Sequence, residues 1–219
     1  MTGLISVAGS TPSDEGFELK SLRWEADDAP RLQTDFATAG NRRIWTFSVW
    51  IKRGNIPTDQ LPGNYMTFLE PTGGDRACAI VSDTDLGSTL YFYEGGGSTF
   101  YVRPQNGLND ASAWYHVVLR FDTTQATAAN RIRWYINGVS PTNFDASTYP
   151  SQDYEGPWNN SGVHWIGQRS DSRYFDGYMA EFYFVDGESL GPEAFAQTNE
   201  DTQQWEPKNP TNIKEAVTF

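Results

Sequence analysis

The residues best suited to chemistry in this 219-residue chain lie in a loop that runs from Tyr149 to Asn160. Its aromatic and polar side chains, with two more beyond the next predicted strand, are Tyr149, Asp153, Tyr154, Trp158, Asn160, Arg169 and Asp171. Flat aromatic rings stack on the C–H faces of sugars, while amides and carboxylates hydrogen-bond sugar hydroxyls. The mixture therefore predicts a glycan-binding site. The alternative is that Tyr149 and Trp158 fold back to cap the domain or pack on a neighbouring subunit, since large aromatic side chains are mostly buried.

Residue types that would support catalysis or metal binding are sparse. His116 and His164 lie within predicted strands, apart from any serine or cysteine nucleophile motif, and this favours packed or surface roles. The spacing of histidine and cysteine matches no zinc site. Asp-Thr-Asp at 83–85 and Asp-Gly-Glu at 186–188 fall in predicted turns, where such side chains stabilise the turn itself. No catalytic residue is therefore predicted.

Composition and charge exclude several functions. The chain carries 28 acidic against 16 basic residues, and its net charge of −12 repels phosphate backbones and anionic lipids, so no nucleic-acid partner is expected. No apolar run approaches the length of a membrane span, and the first ten residues lack the basic and apolar regions of a signal peptide. We therefore expect neither membrane insertion nor a secretory signal. The single cysteine, Cys78, cannot form an intramolecular disulfide and is predicted to be a small buried hydrophobe.

The elements that must position the loop are predicted to be strands. Aromatic residues at 15%, with 20 glycines and 12 prolines, are typical of many short strands joined by tight turns. Alternating apolar residues predict strands at 17–24, 31–36, 44–52, 66–70, 78–81, 88–93, 98–103, 114–122, 131–138, 163–167, 178–185 and 216–219. The second of these is expected to pair with the first as its antiparallel mate. Pro192 followed by Glu193 predicts one short helix near 192–198.

Strand parity predicts which side chains form the core. In the strand at 178–185, strict alternation places Ala180 on the same face as Phe182, and Met179 on the opposite face. The strand at 131–138 alternates in the same way. The residues predicted to share one hydrophobic core are Ile132, Trp134, Ile136, Phe182 and Phe184.

Five motifs stand in the order found in laminin G-like, concanavalin A-like domains. They are Trp-Thr-Phe-Ser-Val-Trp-Ile-Lys at 45–52, Trp-Tyr-His-Val-Val at 114–118 with Phe-Asp at 121–122, Trp-Tyr-Ile-Asn-Gly at 134–138, Trp-Ile-Gly at 165–167, and the closing strand at 177–190. The chain resembles this family over 44–190. The resemblance implies an all-β fold, a two-sheet antiparallel jelly-roll sandwich at 18–206, with an N-terminal arm at 1–17 and a C-terminal arm at 207–219.

Four further segments are similar in sequence to laminin G-like modules in the virion surface proteins of tailed bacteriophages. They are Ser-Leu-Arg-Trp at 21–24, Ala-Gly-Asn-Arg-Arg-Ile-Trp at 39–45, Thr-Tyr-Pro-Ser-Gln at 148–152 and Asn-Glu-Asp-Thr-Gln-Gln-Trp at 199–205. This resemblance implies a place on the outer surface of a phage particle, with other virion proteins as partners. Synthesis in the host cytoplasm without a signal peptide is expected.

The family resemblance also bears on metal binding and catalysis. Laminin G-like folds often carry a calcium ion at a loop rim, and hard oxygen ligands suit that ion. The carboxylates that could serve are Asp122, Asp145, Asp171 and Asp176, and no other cofactor is expected. Glycoside hydrolases on this fold share Glu-x-Asp-x-Glu on one strand, whose alternate carboxylates act together. This sequence contains no such triplet.

Three functions remain open from sequence. The first is a non-enzymatic virion surface protein, either a capsid decoration subunit or a fibre-associated module, that aids particle stability, adhesion to host-surface glycans, or both. The second is a polysaccharide-degrading glycoside hydrolase or depolymerase. The third is a structural clamp whose arms at 1–17 and 206–219 bind the particle without any ligand. The strand-like segment at 216–219 predicts pairing with a neighbour's open sheet edge, so a homo-oligomer, and a trimer in particular, is expected.

Overall fold

The chain folds as antiparallel strands joined by turns. The structure, a computed structural model, describes residues 5–6, 20–54, 65–71, 76–83, 87–105, 107–169, 173–209 and 216–218. The strands in these ranges are β1 (Ile5–Ser6), β2 (Lys20–Trp24), β3 (Leu32–Phe36), β4 (Ile44–Arg53), β5 (Tyr65–Pro71), β6 (Arg76–Asp83), β7 (Gly87–Glu94), β8 (Phe100–Pro104), β9 (Trp114–Asp122), β10 (Ile132–Ile136), β11 (Phe144–Thr148), β12 (Gly162–Ile166), β13 (Gln168–Arg169), β14 (Arg173–Tyr174), β15 (Gly177–Asp186), β16 (Ala196–Thr198), β17 (Trp205–Pro207) and β18 (Ala216–Thr218). Single turns of 3-10 helix lie at Ala26–Asp28, Gly95–Gly97, Ala128–Asn130 and Pro192–Ala194. Within the described ranges, no helix is long and apolar enough to cross a membrane.

Two seven-stranded sheets form a sandwich. Sheet A has the strand order β1-β2-β15-β4-β9-β10, with β18 also paired to β15. Sheet B has the order β11-β8-β7-β6-β5-β12-β3. Every named pairing between strands is antiparallel, and one large apolar cluster lies between the inner faces of the two sheets. The predicted all-β jelly-roll sandwich is therefore confirmed.

The core follows from the alternation of side chains along each strand. The predicted core residues Ile132, Trp134, Phe182 and Phe184 all lie in the main apolar cluster, and Ile136 packs against its margin. The indole of Trp134 is fully buried. Burying a large apolar side chain contributes roughly 1.5–3 kcal/mol, so these strands gain their stability chiefly from the face that they turn inward.

The central strand β15 departs from strict alternation. Its pairing with β4 shifts register between Ala180 and Tyr183, and Glu181 at this β-bulge has a φ of 47°. An extra residue in a bulge reverses which face the preceding side chains occupy. Met179, rather than Ala180, therefore shares the core with Phe182. The predicted parity is wrong on the N-terminal side of the bulge and correct beyond it.

β2 and β3 do not pair with each other, contrary to the prediction for the strands at 17–24 and 31–36. β2 pairs with β15 in sheet A, and β3 pairs with β12 in sheet B. The 3-10 turn at Ala26–Asp28 ends at Ala29, whose backbone is left-handed, and the chain passes from one sheet to the other here. The sequence locates both strands, but their partners come from the distant segments at 162–166 and 177–180.

The C-terminal strand pairs within its own chain. β18 lies along residues 183–185 of β15, while β2 pairs only with residues 177–180 of the same strand. The second half of β15 therefore offers a free edge inside the chain, and β18 occupies it. Residues 216–218 thus use one strand edge on β15 of their own chain, and pairing of this segment with a neighbour's edge stays a prediction.

Two short elements also differ from the sequence-based prediction. β11 occupies part of the segment at 139–162, which the sequence leaves as a loop, because it pairs with the edge of β8 in sheet B. The helix predicted near 192–198 is a single 3-10 turn at Pro192–Ala194. It stops there because, after Phe195, residues 196–198 form β16 and pair with β17.

Candidate functional site

A polar cleft lies at the end of the sandwich where β4 begins and β9 ends. Its volume is about 530 Å³, and its walls are residues 39–44, Thr124 and Glu155. This volume falls within the range of small-molecule sites, roughly 300–1,000 Å³. Three loops therefore meet around a space that can hold a sugar-sized ligand.

The loop at 39–43 is held rigidly by hydrogen bonds to its neighbours. The Asn41 side-chain oxygen accepts the backbone N–H groups of Arg43 and Ile44, each at 3.0 Å. The Asn41 backbone N–H donates to the Asp186 carboxylate at 2.7 Å. The Asn159 amide donates to the same carboxylate at 2.5 Å and to the Asn41 carbonyl at 3.1 Å. Asp186, predicted only to stabilise its own turn, thus joins two loops of the cleft.

Two arginines from this loop reach across the cleft to the loop at 149–160. The Arg42 guanidinium donates to the backbone carbonyls of Gly156 at 2.7 Å and Glu155 at 3.1 Å. The Arg43 guanidinium contacts the Glu155 carboxylate at 2.9 Å and the Asp153 carboxylate at 4.0 Å. The side chains of Arg43, Asp153 and Glu155 remain 44%, 56% and 48% exposed, so a ligand in the cleft can reach them.

Asp122 fixes the turn that brings Thr124 to the wall of the cleft. Its Oδ1 accepts the Thr124 backbone N–H at 3.2 Å and hydroxyl at 2.6 Å, and its Oδ2 accepts the Gln125 amide at 2.6 Å. Asp122 is almost fully buried, and both of its oxygens are occupied by this turn. It therefore acts as a turn residue, and the expectation that it serves as a calcium ligand finds no support in its contacts.

Of the other carboxylates predicted for calcium, Asp145 and Asp176 belong to the described residues and form no ligand set with Asp122. Asp145 forms an ion pair with Arg103 at 3.4 Å, on the outer face of sheet B. Asp176 is half-buried beside Gly54, and the pKa of its carboxyl is raised by burial and by the nearby carboxylates of Glu25 and Asp27. Asp171 lies outside the described residues. Among the described residues, no three or more His, Cys, Asp and Glu side chains are grouped so that they could hold a metal ion.

Trp158 is the clearest correction to the predicted glycan site. Its indole is fully buried, with its ring centroid 4.7 Å from that of Phe92 and 6.1 Å from that of Phe100. A ring enclosed in the core offers no face to a ligand, so Trp158 cannot stack on a sugar. The alternative left open by the sequence, an aromatic that folds back into the sandwich, describes this residue.

The two tyrosines of the loop are half-buried and pack against the core. The Tyr154 hydroxyl donates to the Glu94 carboxylate at 2.9 Å, which ties the loop to the end of β7. Burial raises the pKa of the Tyr149 hydroxyl, while the charge of Arg133 acts in the opposite direction. Both residues serve first as supports of the loop.

The remaining predicted site residues fall into two groups. Asp153 is exposed at the rim, and its backbone N–H donates to the Thr123 carbonyl at 2.9 Å. Asn160 is half-buried and its side-chain oxygen accepts the Ser161 backbone N–H at 2.9 Å. The side chain of Arg169 and all of Asp171 lie outside the described residues. Asp153 is thus linked to the cleft through its contact with Arg43, which lines it.

The prediction missed the two arginines of the cleft. A sequence signal was present, because Gly-Asn-Arg-Arg at 40–43 places adjacent basic residues after a turn-forming pair in a chain dominated by acids. Gly40 is required here, since a β-carbon would come within 2.5 Å of both the Asn159 amide and the Asp186 carboxylate. The contact across more than a hundred residues to Glu155 could not be read from the sequence.

The fold and the cleft can now be compared with known proteins. A laminin G family profile, described as the concanavalin A-like lectin/glucanases superfamily, matches residues 27–193. The chain belongs to this superfamily. The match spans most of the sandwich and all the residues that line the cleft. No curated protein matches the sequence.

Several solved structures have a similar fold at low sequence identity. The native heptameric SAP-like pentraxin from Limulus polyphemus has a TM-score of 0.50 at 19% identity, covering 74% of this chain and 72% of that one. Domain 4 of an extracellular arabinanase from Geobacillus stearothermophilus, solved with arabinotriose, has a TM-score of 0.55 at 16% identity, covering 88% and 78%. The enzymatically active domain of tailspike protein 2 from bacteriophage CBA120 has a TM-score of 0.53 at 16% identity, covering 86% of this chain but 28% of the tailspike. At these identities the likeness shows the fold alone.

Proposed function

We propose that this protein is a non-enzymatic surface module of a phage virion that binds host-surface polysaccharide in the cleft between the loops at 39–43 and 149–160. The observation that carries the proposal is the set of charged but partly exposed groups, Arg43, Asp153 and Glu155, held in fixed positions around a sugar-sized space. Guanidinium and carboxylate groups are paired donors and acceptors for vicinal hydroxyls. Rigid supports reduce the entropy lost on binding.

The charge pattern favours a neutral polysaccharide over an anionic one. Arg43 is paired with the carboxylates of Asp153 and Glu155, and Arg42 lies 3.5 Å from the Glu155 carboxylate, so the positive charge of both arginines is compensated. The net charge of −12 opposes the approach of an acidic polymer. Sugar hydroxyls can instead bridge the arginine and carboxylate groups without separating them.

The virion assignment is supported by four segments whose sequences resemble those of laminin G-like modules in phage virion proteins. They lie at 21–24, 39–45, 148–152 and 199–205. The fold similarity to a domain of a bacteriophage tailspike is consistent with it. In this proposal the module sits on the outer surface of the particle, as a decoration subunit or fibre-associated part. Its partners are other virion proteins, and it forms a homo-oligomer, a trimer being favoured.

Binding is tested with the purified protein on an array of bacterial surface polysaccharides that includes neutral and acidic polymers. We expect binding to neutral polymers, and we expect Arg43→Ala to weaken it at least about tenfold, because a lost charge-assisted hydrogen bond has roughly this effect. Arg23→Ala is the matched control, since Arg23 is also exposed and also contacts a glutamate, Glu25. Absence of binding to every polymer, or equal losses in both variants, would overturn the glycan assignment.

The virion assignment has its own test. Mass spectrometry of purified particles is expected to find this polypeptide, and electron cryomicroscopy of the particles is expected to place it on the outer surface. Its recovery only from host cytoplasm, in the absence of particles, would contradict the assignment.

A depolymerase remains the second candidate, because two carboxylates flank one guanidinium. Asp153 and Glu155 both contact Arg43, and glycosidases likewise act through two neighbouring carboxyl groups. Their half-exposed side chains lack the apolar enclosure that usually prepares a general acid. Release of reducing ends from a bound polymer, abolished by Asp153→Asn and Glu155→Gln, would favour the enzyme over the binding module.

A further inference from the structure

Three tyrosines form a separate aromatic cluster on the outer face of sheet B. Tyr91 and Tyr93 alternate along β7 with core residues, and Tyr101 does the same in β8. The ring centroid of Tyr91 lies 4.7 Å from that of Tyr93 and 5.0 Å from that of Tyr101. Tyr91 and Tyr101 are half-exposed, so the cluster presents aromatic surface to the outside of the sandwich.

The surroundings of this tyrosine cluster are polar rather than apolar. Arg103, two residues after Tyr101 on the same face, forms an ion pair with Asp145 at 3.4 Å. Thr148 of β11 is the cross-strand partner of Tyr101. Half-exposed phenol rings beside hydroxyl and ionic groups are the combination that sugar rings need, with C–H groups on the aromatic surface and hydroxyls on polar neighbours.

The tyrosine cluster lies beside the strand that leads into the cleft loop, because Tyr101 pairs with Thr148, directly before the loop at 149–160. Glu94 follows Tyr93 directly and accepts the hydroxyl of Tyr154, and Glu155, the next residue, lines the cleft. The end of the β7–β8 hairpin and the cleft loop are therefore joined by one hydrogen bond at the same end of the sandwich.

We propose that the outer face of sheet B, at Tyr91 and Tyr101, is a second contact surface for a polysaccharide chain that also occupies the cleft, with the buried Tyr93 supporting the two rings. This proposal rests on the proposed function and makes it more specific. The cleft binds a short stretch of the polymer, and the tyrosine cluster binds sugar units farther along. The protein thereby recognises the interior of a long chain rather than a single terminal sugar.

The test compares affinities for short and long forms of one polymer. The probes are arabinotriose with linear arabinan, laminaritriose with laminarin, and the strongest binder of the array as trisaccharide and as polymer, measured by calorimetry. Tyr91→Ala and Tyr101→Ala are expected to weaken polymer binding about tenfold, the effect of losing one aromatic contact, and to leave trisaccharide binding unchanged. Arg43→Ala is expected to weaken both.

Control variants separate stacking from loss of the fold. Tyr178 is a half-buried tyrosine on the outer face of sheet A, and Tyr178→Ala is expected to leave both affinities unchanged. Tyr101→Phe retains the ring and is expected to retain most of the polymer affinity. Thermal unfolding checks that each variant is folded.

The outcomes distinguish this inference from the function on which it rests. If the wild-type protein binds neither form of any probe, the proposed function fails. If it binds both forms but Tyr91→Ala and Tyr101→Ala bind the polymer as tightly as the wild type does, the tyrosine surface alone fails.

Discussion

The two outer faces of the sandwich differ in what covers them. On sheet A, the segment at 191–209 folds back over the strands, and Phe195 stacks on Tyr183 at 5.7 Å while Trp205 reaches His116. On sheet B, Tyr91 and Tyr101 remain half-exposed. Both faces carry aromatic residues at alternate positions. Coverage is therefore decided by a distant segment of the chain, and the part of sheet B at Tyr91 and Tyr101, here called the open face, keeps surface that a ligand can reach.

The covered face is organised around a buried histidine. The Trp205 indole N–H donates to Nδ1 of His116 at 3.0 Å, and Nε2 of His116 lies 2.9 Å from the Ser48 hydroxyl. Since an indole N–H can only donate, Nδ1 carries no proton, and the ring is the neutral Nε2–H tautomer. The Trp50 indole stacks on the imidazole at 4.9 Å. Burial lowers the pKa of His116 to about 3.

The largest loss of stability is expected when a large core side chain between the two sheets is removed. Trp134→Ala should lower the free energy of unfolding by about 3–5 kcal/mol, because a large buried ring leaves a cavity. Chemical denaturation monitored by circular dichroism measures the loss. Trp134→Phe, which retains most of the volume, is the control and should cost less. A loss within about 0.5 kcal/mol, the range of surface substitutions, would contradict the burial of Trp134.

The pH dependence of stability is expected to come partly from the covered face. His116 has a pKa near 6.5 when unfolded and about 3 when folded, so between these values the unfolded chain binds a proton that the folded chain does not. Its contribution is complete above about pH 6.5 and is lost as the pH falls toward 3, amounting to roughly 2–4 kcal/mol. Denaturation of the wild type and of His116→Gln across this range measures it. Equal slopes in the two proteins would refute the assignment.

A smaller loss of stability is expected when Trp205, which covers His116, is changed. Trp205→Phe keeps an aromatic ring but removes the N–H donor, which leaves Nδ1 of His116 buried without that hydrogen bond. The expected cost is about 1–2 kcal/mol, the penalty for one buried polar atom that loses its partner. Denaturant midpoints are the measurement. If Trp205→Phe is as stable as the wild type, the segment at 191–209 is held by packing alone.

The smallest change in stability is expected on the open face. Tyr101→Phe removes a hydroxyl from a half-exposed ring outside the main core, and the expected change in the free energy of unfolding is within about 0.5 kcal/mol. The same denaturation experiment applies. A loss comparable to that of Trp205→Phe would mean that the open face is as important to folding as the covered one.

The contrast between the faces also explains what the sequence could and could not predict. The alternation of apolar residues predicts the strands and the core, including Trp134, because the face to which each side chain points is set locally along a strand. It failed where a long-range contact decides the outcome. β2 and β3 pair with distant strands and not with each other. Trp158 belongs to the core and not to the predicted ligand site. The bulge at Glu181 lies in a run of apolar residues that gives no sign of it.

At the cleft, too, local sequence patterns were predictive and long-range contacts were not. Asp153 was predicted for the site because its loop has the composition of a binding loop, and the structure places it at the rim. Arg42 and Arg43 were not predicted, since their partners in the loop at 149–160 lie far away in sequence. The hydrogen bond from Asn41 to Asp186, which supports the cleft, also joins loops that meet only in the folded chain.

The shared edge of β15 has a consequence for synthesis on the ribosome. Ser21 pairs with Ala180, about 160 residues later, so at roughly 5–20 residues per second β2 waits on the order of ten seconds for its partner. During that time its backbone groups are an open template for association with other nascent chains. Lys20 and Arg23 place positive charges in this short strand, and Glu25 follows it directly. These charges discourage premature pairing until the central strand emerges and encloses Trp24.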